Sequence, residues 1–142
     1  LVAGDVARGV ARLFLRHELM SIAEVPLGNG RRADLFALCP KGLVTIVEIK
    51  VSRADLHGDG KWPDYLGWCD QLYVAVPIDF PQALIPAEVG LIVADPYGGE
   101  ILRQPPRRPV AAARRKALLV DCARLASERL ARLADPEFVE IG

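Results

Sequence analysis

Asp34, Glu48 and Lys50 are the residues of this chain whose types and spacing could do chemistry, and all three fall in one stretch, GRRADLFALCPKGLVTIVEIK, residues 30–50. The runs LFAL and LVTIVEI are apolar and β-branched, and CPKG between them carries turn chemistry, so the stretch reads as two antiparallel strands. Pro40-Lys41-Gly42 suits a three-residue loop, a type I turn closed by glycine in the left-handed conformation. That loop pairs Cys39 with Leu43. Counting from this pair sets Asp34 opposite Glu48 on a shared face, with Lys50 pointing the same way and Val47 and Ile49 the other. Like charges directly opposed in a sheet cost ~0.2–1 kcal/mol, more when shielded from water. Lys50 brings one positive charge to two negative ones. A divalent cation between the carboxylates would balance them.

Elements able to hold this hairpin can be read along the chain. Asp5 is placed to cap a helix running to about Met20, with Val6, Val10, Leu13 and Phe14 on one apolar stripe. IAEVPL reads as a strand and GNG as a turn into the hairpin. SRAD (Ser52, Asp55) has capping-box spacing and opens a helical segment. KWPDYLGWCD continues or restarts it, with Pro63 in a first turn. QLYVAV is a strand closed by Pro77, and GLIVAD and EILRQ flank PYGG as a second hairpin. PPRRP is a breaker. Residues 110–134 then form a long helix with Leu119, Cys122, Ala126, Leu130 and Leu133 inward, ending before Pro136. The order α-β-β-β-α-β-β-β-α has no repeat and predicts an α/β fold, a mixed sheet with helices packed against it in a single domain, 1–142.

The 142 residues suffice for one domain with a real core, and 51% of them are hydrophobic. No run approaches the ~18 apolar residues of a membrane span, and no signal-peptide pattern opens the chain. Leu1 is not a start methionine, so a few residues are expected ahead of it. Cys39, Cys69 and Cys122 are odd in number and widely spaced, which points to reduced thiols in a cytoplasmic protein. Formal net charge is zero but unevenly spread: residues 34–100 hold four basic and ten acidic side chains, residues 101–132 nine and two. The basic block is either a solvated helix face or a flank for phosphates beside an acidic metal centre.

The Asp–hairpin–Glu-x-Lys arrangement, with a helix before it and a helix and strand after, resembles the PD-(D/E)xK nuclease superfamily. That superfamily includes type II restriction enzymes and Holliday-junction resolvases. Here AD stands where the family has PD, and EIK supplies the second half. More narrowly, NGRRADLFA, VEIKVSRADL and KWPDYLGWCDQLYVAVP are similar to the MmcB-like DNA-repair proteins of alphaproteobacteria. This resemblance covers most of the chain and is densest from Glu24 to Pro77.

The resemblance implies a restriction-endonuclease-like core, α-β-β-β-α-β, extended by a second hairpin and a long C-terminal helix. It also implies a nuclease, dependent on Mg²⁺ or Mn²⁺, that hydrolyses DNA phosphodiester bonds in repair. Asp34 and Glu48 would be catalytic metal carboxylates, with the main-chain carbonyl of Ile49 as a further ligand, since Mg²⁺ prefers hard oxygens. Lys50 would orient or help deprotonate the attacking water and stabilise charge on the phosphate. The superfamily often places another acid on the first helix. Glu18 lies there and Glu24 on the next strand, Glu24 being favoured by the MmcB-like similarity. Lys61 and Tyr65 sit where related nucleases carry a Gln-xxx-Tyr pair that helps hold substrate; the lysine departs from that pattern.

Arg31, Arg32, Arg114, Arg115 and Lys116 are candidate nucleic-acid contacts, although arginines in turns and on helix faces are also commonly just solvated. Trp62, Tyr65 and Trp68 at helical spacing read as core rather than as a base-stacking surface. Asp55, Asp59, Asp64 and Asp70 read as caps and surface. Gly28-Asn-Gly30-Arg-Arg-Ala33 matches a dinucleotide-binding pattern, but the ten residues after it contain Pro40 and Gly42 and leave no room for the helix that pattern needs. Two readings of different class stand: a metal-dependent nuclease, and a nuclease-fold module that binds DNA or docks a partner without turnover. The lack of a separate DNA-binding domain favours capture through a homodimer or a repair-protein partner.

The opposed carboxylates make a thermodynamic prediction. Asp34→Asn removes one of two facing charges, so it should stabilise the metal-free fold by on the order of 0.5–1 kcal/mol. Mg²⁺ should raise the melting temperature of the unmodified chain and do little for the variant. Thermal melts with chelator and with Mg²⁺ test both, and a clearly lower melt for the metal-free variant would contradict the repulsion argument.

Overall fold

Glycines at the ends of two short loops set the first half of the sheet. In the computed structural model, which describes residues 1–57 and 61–137, Gly30 and Gly42 have φ of +84° and +78°. Glycine enters this left-handed region without steric cost. Each closes a three-residue loop: the Leu27 N–H donates to the Arg31 carbonyl at 2.7 Å, and the Cys39 N–H to the Leu43 carbonyl at 3.3 Å. The loops join β1 (Met20–Pro26), β2 (Arg32–Leu38) and β3 (Val44–Ile49) into an antiparallel meander. Its register, Leu38–Val44 through Leu35–Val47, is the one that the Cys39–Leu43 pair dictates.

After β3 come a short helix α2 (Arg53–His57) and a single 3-10 turn (Trp62–Tyr65). The helix expected through KWPDYLGWCD does not form: Pro63 opens the turn, and Gly67 at φ +86° leads the chain out of it. β4 (Gln71–Val76) and β5 (Gly90–Asp95) lie parallel to β3, and β6 (Gly98–Arg103) returns antiparallel. The six strands stand in chain order, a mixed sheet. β3 and β4 are buried along nearly their whole length, as parallel central strands covered on both faces must be.

Helix α1 (Ala3–Arg16) covers one face, burying Val6, Val10, Leu13 and Phe14 against Leu35, Val47, Tyr73 and Ile92. Each such side chain contributes roughly 1.5–3 kcal/mol of burial. The helix begins two residues before Asp5, whose carboxylate caps it from within the first turn by accepting from the Val2 N–H at 3.0 Å. It also stops at Arg16 rather than Met20, which belongs to β1. Gly9 allows α1 to touch the β5–β6 hairpin: a Cβ there would lie 1.8 Å from the Asp95 carbonyl oxygen.

Helix α3 (Ala112–Ala134) lies on the other face with Leu118 and Cys122 buried and Leu125 packed beside them. Of the inward row expected from sequence, Cys122 is buried, while Leu130 and Leu133 are 67% and 82% exposed. The helix is rotated so that its inward row ends on Arg129, not on leucine.

Asp70, expected at the surface, is instead the buried knot of this face, 2% exposed. Its carboxylate accepts from the Val44 and Val110 N–H groups at 2.7 and 3.0 Å and from both ends of the Arg115 guanidinium at 2.7 and 2.6 Å. Burial alone would raise this carboxyl, but Arg115 and the two N–H groups outweigh it and hold it at about 2. The stability this gives is present above the unfolded value of 3.8 and lost as the pH falls from there toward 2. Asp70→Ala, which leaves a guanidinium and two N–H groups without their acceptor, should lower unfolding free energy by roughly 3–5 kcal/mol. Urea titration checks this, and a loss under ~1 kcal/mol would show that the knot contributes little.

Candidate active site

The β2–β3 ladder ends at Leu35–Val47, one pair short of Asp34 and Glu48. Beyond that point side chains replace the backbone ladder. The Asp34 carboxylate accepts from the Ile49 N–H at 2.7 Å, and the Glu48 carboxylate accepts from the Asp34 N–H at 3.3 Å. Asp34 and Glu48 are therefore neighbours in the predicted register, but in a notch between separating strands rather than side by side on a flat sheet.

The cause lies in β2 itself. Ala33 packs in the core on the α3 face and Leu35 in the core under α1. Residues two apart on a regular strand share a face, so the alternation breaks at Asp34. Across the β1–β2 pair the match is Glu24, between the Ala23–Leu35 and Val25–Ala33 partners and at φ +53°. Glu24, Asp34 and Glu48 thus occupy one row over three strands. The GNG loop could have revealed this row, just as CPKG revealed the Asp34–Glu48 pair.

Glu48 is 8% exposed. Burial, then the negative charge of Asp34, raises its carboxyl from 4.5 to about 8, with Lys50 acting in the opposite direction. Tyr65 is buried beside it, and its hydroxyl donates to the Arg32 carbonyl at 3.3 Å. Burial and the Glu48 charge push that phenol above its ordinary value. Tyr65 is fixed because its 3-10 turn is bolted to the β1–β2 loop. Asp64 accepts two hydrogen bonds from Arg31 at 2.8 and 2.9 Å, and its carbonyl accepts from Asn29 at 2.8 Å.

Lys50 follows β3 immediately, and its N–H donates to Ala75 at 3.0 Å. The N–H and carbonyl of Ile49 therefore face β2, where the ladder has ended. Two carboxylates and one carbonyl are hard oxygen donors suited to Mg²⁺ or Mn²⁺, which commonly take one or two protein carboxylates and keep several waters. Among the described residues no group of three or more His, Cys, Asp or Glu gathers to hold a metal.

The remaining candidates divide. Glu18 sits at φ +60° in the turn before β1. It is two residues before Met20, which pairs with Leu38 at the other end of the hairpin, the ~13 Å of four strand residues from Asp34. Glu24 lies in the row but is 65% exposed, with Arg32 at 3.9 Å. Lys61 is exposed, one residue before the turn that carries Tyr65. Arg115 is committed to Asp70 and the Gly42 carbonyl. Arg114 lies 4.1 Å over the Trp68 ring and donates to the Gly67 carbonyl. Both arginines serve the fold; Lys116 is exposed. Trp62 and Trp68 pack against the core, and Asp55 caps α2 through the Val51 and Ser52 N–H groups. Asp59 lies outside the described residues. No helix among those described is long and apolar enough to cross a membrane.

A six-stranded mixed sheet with helices on both faces and a carboxylate notch at one strand end defines an α/β protein of a recognisable kind. A solved structure, a protein of unknown function from Silicibacter pomeroyi (SPO1766), matches with a TM-score of 0.93 and 46% identity over 98% of this chain and 95% of its own. The family model of the DNA repair protein MmcB-like proteins matches residues 2–137, and the chain belongs to that family. No curated protein matches.

The raised carboxyl predicts an unusual pH dependence. Between 4.5 and about 8 the folded chain keeps a proton that the unfolded chain has released, so metal-free stability falls as pH rises through that window. The fall is on the order of a few kcal/mol. Glu48→Gln should flatten it, and Asp34→Asn, which removes the second cause, should shrink it and end it at lower pH. Repulsion between the two carboxylates is correspondingly confined to pH near and above 8. Denaturant titrations in chelator from pH 5 to 9 check both variants, and an unchanged slope in Glu48→Gln would assign the dependence elsewhere.

Proposed function

We propose that this MmcB-like chain is a divalent-metal-dependent nuclease of the PD-(D/E)xK type, hydrolysing DNA phosphodiester bonds during repair. The observation that carries the proposal is the notch: a buried Glu48 and an Asp34 fixed by the Ile49 N–H, brought together where a lysine leaves the same strand. A buried carboxyl beside a second carboxylate is costly for a fold to keep ionised. A site that binds a cation accounts for it.

In this reading Asp34, Glu48 and the Ile49 carbonyl hold Mg²⁺ or Mn²⁺. The metal supplies Lewis acidity toward a phosphoryl oxygen and makes a water more acidic. Lys50 would orient a water for attack on phosphorus and would offset the charge that develops on the phosphate. A P–O bond to that water would form as the bridging P–O bond breaks, the water's proton passing to the leaving oxygen. Glu48 gives up its proton when metal enters, so binding should strengthen with pH toward 8. Tyr65 packs against Glu48 and limits water on its buried side. Phosphate contact falls to exposed cations next in the chain to the site residues, Arg32 two before Asp34 and Lys61 four before Tyr65, rather than to Arg114 and Arg115.

A second reading, a DNA-binding or partner-docking module without turnover, draws on the outward position of Glu24 and the distance of Glu18, which leave two carboxylates in the notch. A cleavage assay separates the readings: single-stranded, flapped and branched DNA, titrated with Mg²⁺ and Mn²⁺. Asp34→Asn, Glu48→Gln and Lys50→Ala should each lower the rate by at least about a hundredfold. Cleavage that survives excess chelator, or persists at full rate in Asp34→Asn, would refute the nuclease reading. DNA binding without cleavage at any metal concentration would support the second.

A further inference from the structure

Two successive carbonyls of β1, those of Ala23 and Glu24, accept hydrogen bonds from a single guanidinium, that of Arg129 on α3; the Glu24 bond is 2.8 Å. Successive carbonyls of an extended strand point to opposite sides. Here both point outward because Glu24 has turned to φ +53°. β1 is an edge strand, with no neighbour beyond it to supply donors. Arg129, 105 residues later in the chain, supplies both.

Glu24 stands across from Asp34, and the alternation of β2 breaks at Asp34. The two strands turn together at one row, and the turn in β2 aims the Asp34 carboxylate across the gap at the Ile49 N–H. A non-glycine residue in left-handed backbone persists only where its surroundings hold it there. The planar fork of an arginine fits two neighbouring carbonyls as the compact lysine ammonium does not.

We infer that Arg129 is a positioning residue: by clamping the Ala23 and Glu24 carbonyls it holds the kinked row that sets Asp34 in the notch. Its effect on metal binding rests on the proposed function above; its effect on the Asp34–Ile49 bond does not.

The test measures amide hydrogen exchange by NMR on the full chain, together with Mn²⁺ titration. Asp34→Ala gives the reference for a lost Ile49 bond. Arg129→Met should speed Ile49 exchange by about tenfold or more, toward that reference, while Ile92 in the centre of β5 keeps its protection. Mn²⁺ affinity should fall by about 10–100-fold, and Arg129→Lys should not rescue either readout. Glu24→Gly accepts positive φ without strain, so the same Arg129→Met change made in that background should cost far less. Unchanged Ile49 exchange in Arg129→Met overturns the inference. So does an equal loss in the Glu24→Gly background, or a loss spread evenly to Ile92, which would mark Arg129 as general support. If the unmodified chain binds no Mn²⁺, the metal reading fails, while Ile49 exchange still decides the role of Arg129.

Discussion

One backbone N–H leaving its strand for a carboxylate is the interaction on which the notch depends. Had Ile49 continued the ladder with β2, the two strands would have closed over Asp34 and Glu48, and two acids would have met in a flat sheet with nothing between them. With the Ile49 N–H bonded to Asp34 instead, the strands part, Asp34 is held at one wall, and Glu48 sinks to 8% exposure at the other. The Ile49 carbonyl, which alternation turns toward β2, then faces the gap. Burial of Glu48 on a central strand and the nearby Asp34 carboxylate together raise its carboxyl, and the gap leaves hard oxygens facing it.

Arginines do much of the holding, and they do it through backbone oxygens. Arg103 grips the Val89 and Pro86 carbonyls, Arg114 that of Gly67, Arg115 that of Gly42, and Arg129 those of Ala23 and Glu24. These carbonyls end strands, leave loops or lie on the outer edge of β1, where no neighbouring strand supplies a donor, and a guanidinium offers several donors in one rigid group. Four of the nine basic residues between 101 and 132 are thus engaged in holding backbone carbonyls. Their acidic counterpart at Asp70 is construction too, whereas the notch sets one carboxyl beside another.

Much of this was readable from local pattern. Pro40-Lys41-Gly42 fixes the Cys39–Leu43 pair, and the pair fixes which acid meets which. The order of elements along the chain and the two long covering helices follow from apolar runs and breakers, whereas the order of strands in the sheet does not. What escaped reading depends on partners far along the chain. Asp70 sits before a strand, where an acid ordinarily caps or is solvated, and its partners lie 26, 40 and 45 residues away. The inward row of α3 is ambiguous in the sequence because Leu118 and Leu119 are both apolar and rows through either share Cys122. What decides between them is that Arg129 must face β1, which no helical periodicity encodes. The kink at Asp34 has the same origin: it is matched by Glu24 on another strand and carries no local breaker.

The strands stand in the sheet in the order in which they occur in the chain. Each can add to its predecessor as synthesis proceeds, through short loops in the β1–β2–β3 meander and longer crossovers to the parallel β4 and β5. Some contacts cannot form that way. Helix α1, made first, must wait for the β5–β6 hairpin on which Gly9 rests, and Arg129 reaches β1 only after the last helix is made. The outline of the sheet is thus an early product of the chain and the shape of the notch a late one, so that a nascent chain lacking its final helix would carry a nearly complete sheet whose carboxylate row is not yet clamped.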